Sequence, residues 1–69
     1  MNWDQIAGNW KQMEGKVKEK WGKLTDDDIS VAAGMREQLV GTVQKRYGIA
    51  KDVAETQIDD WAKSTKDAL

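Results

Sequence analysis

Neighbouring carboxylates are the residues of this chain that come closest to a catalytic arrangement. Asp26-Asp27-Asp28 and Asp59-Asp60 place acidic side chains next to one another. Acid–base catalysis by two carboxylates needs one whose pKa is raised by an apolar pocket, and a core this small has little room for one. The chain has no His and no Cys, so the ordinary nucleophile–base pairs are absent too. We therefore expect no enzymatic activity, no catalytic residue and no small-molecule substrate.

The three consecutive aspartates could instead bind a divalent cation. A calcium loop requires a turn glycine and further acidic ligands at fixed spacings, and these do not follow Asp28. Helix capping explains the cluster better, because Thr25 precedes it and Asp28 lies three residues after Thr25, as in a capping box. Acidic side chains also suit the positive end of a helix. We predict no metal site and no cofactor.

Lysines are concentrated in one segment, from Lys11 to Lys23, which carries five Lys and two Glu. This surface could contact a protein partner, or it could bind nucleic acid or an anionic membrane surface. The chain as a whole has a formal charge of −1, which disfavours a general attraction to phosphate backbones or lipid head groups. A protein partner, or self-association, is therefore the favoured interpretation, and nucleic acid or membrane binding is the alternative.

The elements that position these residues are predicted to be four helices. Proline is absent, and helix-forming residues dominate the composition. Apolar residues follow one another at steps of three or four and draw a continuous stripe along a first helix: Trp3, Ile6, Trp10, Met13, Val17, Trp21 and Leu24. Asn2 is the expected cap of this helix. A short helix should follow as far as Gly34, then a helix from Met35 to Gly48, and a last one holding Val53, Ala54, Ile58, Trp61 and Ala62 on its inner face.

Residues 1–63 are expected to form a single all-α domain, with residues 64–69 as a frayed tail. The predicted core consists of large residues on the inner faces of these helices: Trp10, Val17, Trp21, Leu39, Val43, Tyr47, Ile58 and Trp61. Tryptophans beside lysines could also stack on the bases of single-stranded nucleic acid. Their helical spacing makes core packing the better explanation.

An internal repeat organises the chain. A shift of 26 residues places Gly8 on Gly34, Gly15 on Gly41 and Gly22 on Gly48, and it uses all six glycines. Gln12, Val17 and Trp21 meet Gln38, Val43 and Tyr47 under the same shift. Two copies are too few for a solenoid, so the repeat predicts a pseudo-twofold domain in which each copy contributes a helical hairpin.

The sequence indicates no structural role for two of these glycines. Gly15 and Gly41 fall in the middle of predicted helices, where glycine costs about 1 kcal/mol relative to alanine. At roughly 100° per residue both point away from the apolar stripe of their helix. They could admit another backbone, keep the helix marginal, or be inherited without present use. We take as the candidate interaction surface Lys11, Gly15, Lys16, Lys18, Lys23 and Gly41.

The repeat, the stretch GNWKQMEGKVKEKWGKLTDDD, and KRYG followed by DDW resemble the CsbD-like family of small bacterial stress proteins. The resemblance covers the chain from Met1 to about Trp61. It implies an all-helical fold of two roughly orthogonal α-hairpins, similar to SAM-like domains, and expression in general stress responses, but no established biochemical activity. Ala50 departs from the pattern, because a polar N-capping residue is expected there.

The amino-terminal segment has no apolar run of the kind a signal peptide needs, and no stretch is apolar enough to span a bilayer. We therefore expect a cytoplasmic protein. Taken together, the sequence predicts a non-catalytic bacterial stress-response protein that acts through interaction.

Overall fold

The computed structural model describes residues 3–66, which contain five helices. They are α1 (Trp3–Gly8), α2 (Trp10–Lys20), α3 (Asp26–Ala32), α4 (Arg36–Tyr47) and α5 (Lys51–Lys66). No strand occurs among these residues, so the predicted all-α class is confirmed. The predicted number of four helices is wrong, because the first apolar stripe is divided between α1 and α2.

The division lies at Asn9, which has non-helical dihedral angles (φ −113°, ψ 29°). Its backbone N–H donates to the carbonyls of Gln5 and Ile6, and its side-chain amide donates to the Gln5 carbonyl at 2.8 Å. Asn competes for backbone partners in this way, and Gly8 before it has little helix propensity. The periodicity of the stripe is preserved across the break, which is why the sequence predicts one helix. The expected cap at Asn2 lies outside the described residues.

The turn between α2 and α3 contains the predicted helix cap. Thr25 Oγ1 accepts a hydrogen bond from the Asp28 N–H at 3.0 Å, and Asp28 Oδ2 accepts one from the Thr25 N–H at 3.1 Å. This reciprocal pair is a capping box, so the predicted role of Thr25 and Asp28 is confirmed. α2 ends at Lys20, and Trp21 and Leu24 lie in the connection rather than in the helix.

α4 ends as predicted, and α5 is longer than predicted. Gly48 adopts the left-handed conformation (φ 63°, ψ 39°) and its N–H donates to the Gln44 carbonyl. Its repeat partner Gly22 has no positive φ and lies two residues after the end of α2, so the two copies close their helices differently. α5 extends to Lys66 and therefore includes the first residues of the expected tail; residues 67–69 lie outside the described part of the chain.

The helices pack in a ring around one core. Each helix contacts the next one along the chain, and α5 returns to contact α1. Seven of the eight predicted core residues are buried and Tyr47 is half-buried; the buried set is Ile6, Trp10, Met13, Val17, Trp21, Leu24, Ile29, Ala32, Leu39, Val40, Val43, Ala54, Ile58, Trp61 and Ala62. One expected inner-face residue is corrected, because Val53 is 45% exposed. Met35, the expected first residue of the next helix, instead precedes α4 and is 60% exposed.

The tryptophans form a connected series through this core. Trp3 contacts the rings of Trp10 and Trp61 at centroid distances of 6.4 and 6.3 Å, and Trp61 contacts Trp21 edge to face at 5.4 Å. Such contacts add about 0.5–1.5 kcal/mol each to the burial of the rings. With three rings buried and Trp3 half-buried, they serve packing, which supports the core interpretation over exposed stacking platforms.

Candidate interaction surface

Gly15 and Gly41 both face outward, as the helical geometry predicted. Each lies in the middle of its helix, is exposed, and has no atom of a neighbouring element within 4 Å of the position where a Cβ would lie. Neither glycine is therefore required for packing between the helices of residues 3–66. The helices that carry them, α2 and α4, both pack against α3.

A cleft of about 240 Å³ opens beside Gly15, between α2 and α3. α2 contributes Glu14, Gly15 and Lys18, and α3 contributes Asp26 and the buried residue Ile29. The glycine leaves the helix backbone open to the cleft, because no side chain covers it there. Sequence reasoning missed Asp26 and Ile29, since only the turn from Trp21 to Thr25 brings α3 against this side of α2.

Lys18 is held in place at the edge of this cleft. Its Nζ donates to the Leu24 carbonyl at 2.7 Å and lies 3.9 Å from Asp26 Oδ1. The ammonium group thus binds a carbonyl of the α2–α3 turn, while Asp26 remains almost fully exposed. An exposed pair of this kind contributes little to stability. Lys18 therefore shapes the cleft and keeps only part of its hydrogen-bonding capacity for a ligand.

Lys23 lies against α4 instead. Its Nζ is 5.1 Å from the centre of the Tyr47 ring, a cation–π contact, and its backbone N–H donates to the Tyr47 hydroxyl at 3.2 Å. Tyr47 is half-buried and joins the end of α4 to the turn after α2. Of the predicted surface, Lys23 therefore belongs to a contact within the chain.

Lys11 and Lys16 are exposed on different flanks of α2. At roughly 100° per residue, Lys11 and Lys18 lie within about 60° of Gly15, whereas Lys16 is turned about 100° to the other side. Lys16 lines a second groove, with Lys20 on α2 and Trp61 on α5. Lys11, Gly15 and Lys18 therefore share one flank of α2. Lys16 lies on the other flank, Lys23 contacts Tyr47, and Gly41 lies on a different helix, α4.

One member of the acidic cluster, Asp28, forms its contacts within the fold. Arg46 donates to both carboxylate oxygens of Asp28, at 2.7 and 3.1 Å, and these hydrogen bonds together with that from Thr25 lower the pKa of Asp28 to about 2. The same contact raises the pKa of Arg46 above its ordinary value. A carboxylate with a lowered pKa remains ionised at neutral pH, the opposite of what a proton donor needs.

Within residues 3–66, no group of three or more acidic side chains is arranged to hold a metal ion. In the same range, no helix combines the length and the apolar character that crossing a membrane requires.

Comparison with known proteins places this geometry in context. The CsbD-like family model matches residues 4–56. The UPF0337 protein YjbJ of Escherichia coli strain K12 is 61% identical over 61 residues, which cover 88% of each chain. The YjbJ protein of Salmonella typhimurium is also 61% identical over 61 residues, 88% of this chain and 87% of the relative. A UPF0337 protein of Rhodopseudomonas palustris is 56% identical over 66 residues, 96% of this chain and 100% of the relative. These names state no reaction and no ligand.

Proposed function

Because the chain belongs to the CsbD-like family, we propose that it is a non-catalytic bacterial stress-response protein that acts by binding a protein partner at the cleft beside Gly15. The partner places a backbone segment against the bare helix surface between Lys11 and Lys18. A second copy of the chain is one such partner, and a different protein is the other.

The exposed glycine in the middle of α2 carries this proposal. Gly15 costs about 1 kcal/mol of helix stability relative to alanine, and nothing within the described chain uses the space it leaves. A backbone that approaches a helix closely needs a position without a side chain. The cleft beside Gly15 is concave, and the core residue Ile29 is among the residues that line it.

The charges around the cleft support a protein partner over a phosphate backbone. Glu14 and Asp26 carry two negative charges against the single positive charge of Lys18. Phosphate would be repelled by this arrangement, while a peptide segment with N–H donors or a basic side chain would be accepted. The lining of the cleft therefore has a net negative charge, although residues 11–23 as a whole have a net positive charge.

Chemistry in the described residues also supports a non-catalytic role. The chain has no His and no Cys, and its most perturbed carboxylate, Asp28, is committed to an ion pair and a helix cap. These observations support binding as the activity, because the ordinary nucleophile–base pairs built on His or Cys are absent.

The experiment compares Gly15→Ala with Gly8→Ala in a bacterium that lacks the endogenous gene. Both glycines are helical, exposed and free of neighbours within 4 Å, so both substitutions add one methyl group to open space. Survival across a panel of stresses is measured with each variant at equal abundance, and self-association of each purified protein is measured by sedimentation equilibrium. We expect Gly15→Ala to impair survival and Gly8→Ala to behave as wild type.

Two outcomes contradict the proposal. Equal survival with Gly15→Ala and wild type would show that the cleft is not used, and full survival without the gene would remove the stress role. Loss of self-association in Gly15→Ala alone would identify a second copy as the partner. Loss of survival with unchanged self-association would identify a different protein. Salt-sensitive binding of the wild type to DNA or anionic vesicles, unchanged by Gly15→Ala, would favour the alternative function.

We also retain three predictions about architecture and location. The arrangement as two roughly orthogonal hairpins of the SAM-like kind stays a prediction. The internal repeat on which it depends is supported by the helix starts, since α2 begins at Trp10 and α4 begins 26 residues later at Arg36. A pseudo-twofold axis between the copies stays a prediction, as does the cytoplasmic location.

A further inference from the structure

A second groove, of about 310 Å³, separates α2 from the end of α5. It is lined by Lys16, Glu19 and Lys20 from two successive turns of α2 and by Trp61 and Thr65 from α5. The two helices are not neighbours in the packing ring, which leaves space between their side chains. This groove lies on the flank of α2 away from the Gly15 cleft.

Two residues that line the groove, Trp61 and Thr65, are largely buried, yet their side chains form no hydrogen bond with residues 3–66. The other tryptophans donate their indole N–H, Trp3 to the Gly34 carbonyl, Trp10 to the Ile29 carbonyl and Trp21 to Gln57 Oε1. Trp61 donates to no described residue, although it is only 8% exposed.

Thr65 is the corresponding exception among the threonines. Thr25, Thr42 and Thr56 each form a side-chain hydrogen bond. The Thr65 hydroxyl forms none with the described residues and is 7% exposed. Neither Trp61 nor Thr65 contains a polar atom that is fully shut off from solvent. Both polar atoms therefore reach solvent, and these two groups, one turn apart on α5, are available to a ligand.

The lysines opposite these donors carry uncompensated charge. Lys16 and Lys20 are four residues apart on α2, where like charges destabilise a helix. Neither forms an ion pair within the described part of the chain. With Glu19 the groove lining has a net charge of +1, the difference between two lysines and one glutamate. An anion bound between the lysines would relieve their repulsion.

We propose that this groove binds the phosphate group of a small hydroxylated phosphate monoester. Lys16 and Lys20 supply positive charge, and the Trp61 indole N–H and Thr65 hydroxyl supply hydrogen bonds to phosphate oxygens. A dianion matches the two ammonium groups, and Glu19 offers an acceptor to a hydroxyl of the ligand body. The volume suits a ligand of a few carbon atoms beside its phosphate. This function is separate from the protein binding proposed at Gly15.

The test is a titration of the full chain with glycerol 3-phosphate at constant ionic strength, monitored by two-dimensional NMR. We expect saturable shifts of the Trp61 indole signal and of backbone amides in residues 16–20 and 61–65, with the other three indole signals unmoved. Glycerol, which lacks the charge, should produce no such shift. The proposal would be overturned by small, uniform shifts in the NMR signals of all exposed lysines, or by an unmoved Trp61 indole signal.

Matched variants separate the groove from general charge. Lys16→Gln with Lys20→Gln should weaken binding roughly tenfold, whereas Lys11→Gln, which removes an exposed lysine outside the groove, should change it less than about twofold. Thr65→Val removes the hydroxyl at nearly constant volume and should weaken binding about threefold. Equal weakening by Lys11→Gln would overturn the site. Gly15→Ala should leave glycerol 3-phosphate binding intact, so this proposal can fail or succeed independently of the one at Gly15.

Discussion

Arg46 and Asp28 form a two-bond ion pair that fastens the end of α4 to the start of α3. The Nε–Oδ2 distance is 2.7 Å and the Nη2–Oδ1 distance is 3.1 Å. The same carboxylate closes the capping box with Thr25, so one side chain serves both a helix start and a tertiary contact. Two-bond guanidinium–carboxylate pairs are directional and charge-assisted, which makes this contact a natural target for mutation.

We expect Asp28→Asn to remove an acid-sensitive part of the stability. Asp28 has a folded-state pKa of about 2 against an ordinary value of 3.8. A lowered folded-state pKa means that this contribution is fully present above pH 3.8 and is lost as the pH falls through about 2. The free energy of unfolding of wild type and Asp28→Asn should therefore differ at neutral pH and converge on acidification, as measured by urea unfolding.

Asp27→Asn is the matched control, because Asp27 is exposed in the same turn and has no ion pair among the described residues. Its unfolding curve should follow that of wild type at each pH. A constant gap between wild type and Asp28→Asn down to about pH 2 would contradict the assignment of the acid-sensitive contribution to Asp28.

Thr25→Ala should destabilise the protein by about 1 kcal/mol, because it leaves the Asp28 N–H without its acceptor at the start of α3. Thr25→Ser should retain most of the stability. Thr42→Ala is the control: its hydroxyl donates to the Gln38 carbonyl within α4, and alanine is the better helix former. Thermal unfolding followed by circular dichroism compares the three, and a loss in Thr42→Ala equal to that in Thr25→Ala would argue against the cap.

Gly34→Ala should be the most damaging glycine substitution. Gly34 has a φ of +79°, and an added Cβ would lie 3.1 Å from both the Cα and the Cβ of Ala7. Left-handed strain alone costs about 1–3 kcal/mol, and the contact with α1 adds to it. Gly48→Ala isolates the strain, since Gly48 has a φ of +63° and open space around it. Urea unfolding should show a larger loss in the free energy of unfolding for Gly34→Ala than for Gly48→Ala. Equal losses would mean that α1 moves to accommodate the added methyl group at little energetic cost.

Gly15→Ala and Gly41→Ala should each raise the free energy of unfolding by up to about 1 kcal/mol. Both add a methyl group to open space on a helix with ordinary dihedral angles. Denaturant unfolding monitored by tryptophan fluorescence measures the change. A loss of stability in either variant would mean that the glycine has a structural role within the folded chain.

The helical class, the cap at Thr25 and the end of α4 at Gly48 follow from local signals that the sequence contains in full. A capping box depends on residues three apart, and a left-handed terminus depends on one glycine, so neither needs knowledge of the distant chain. The break at Asn9 was missed because hydrophobic periodicity continues through it. Burial of Val53 was predicted from its position on a stripe, but α5 turns that side partly to solvent.

The helices, most of the core and the outward direction of Gly15 and Gly41 can be read from the amino-acid sequence, since each depends on spacing along one segment. Which lysines share a surface depends on the packing of the helices against one another. The turn after α2 places Asp26 and Ile29 beside Gly15, and the return of α5 places Trp61 and Thr65 beside Lys16. Such groupings depend on how helices dock, a property of side-chain packing between segments far apart in the chain.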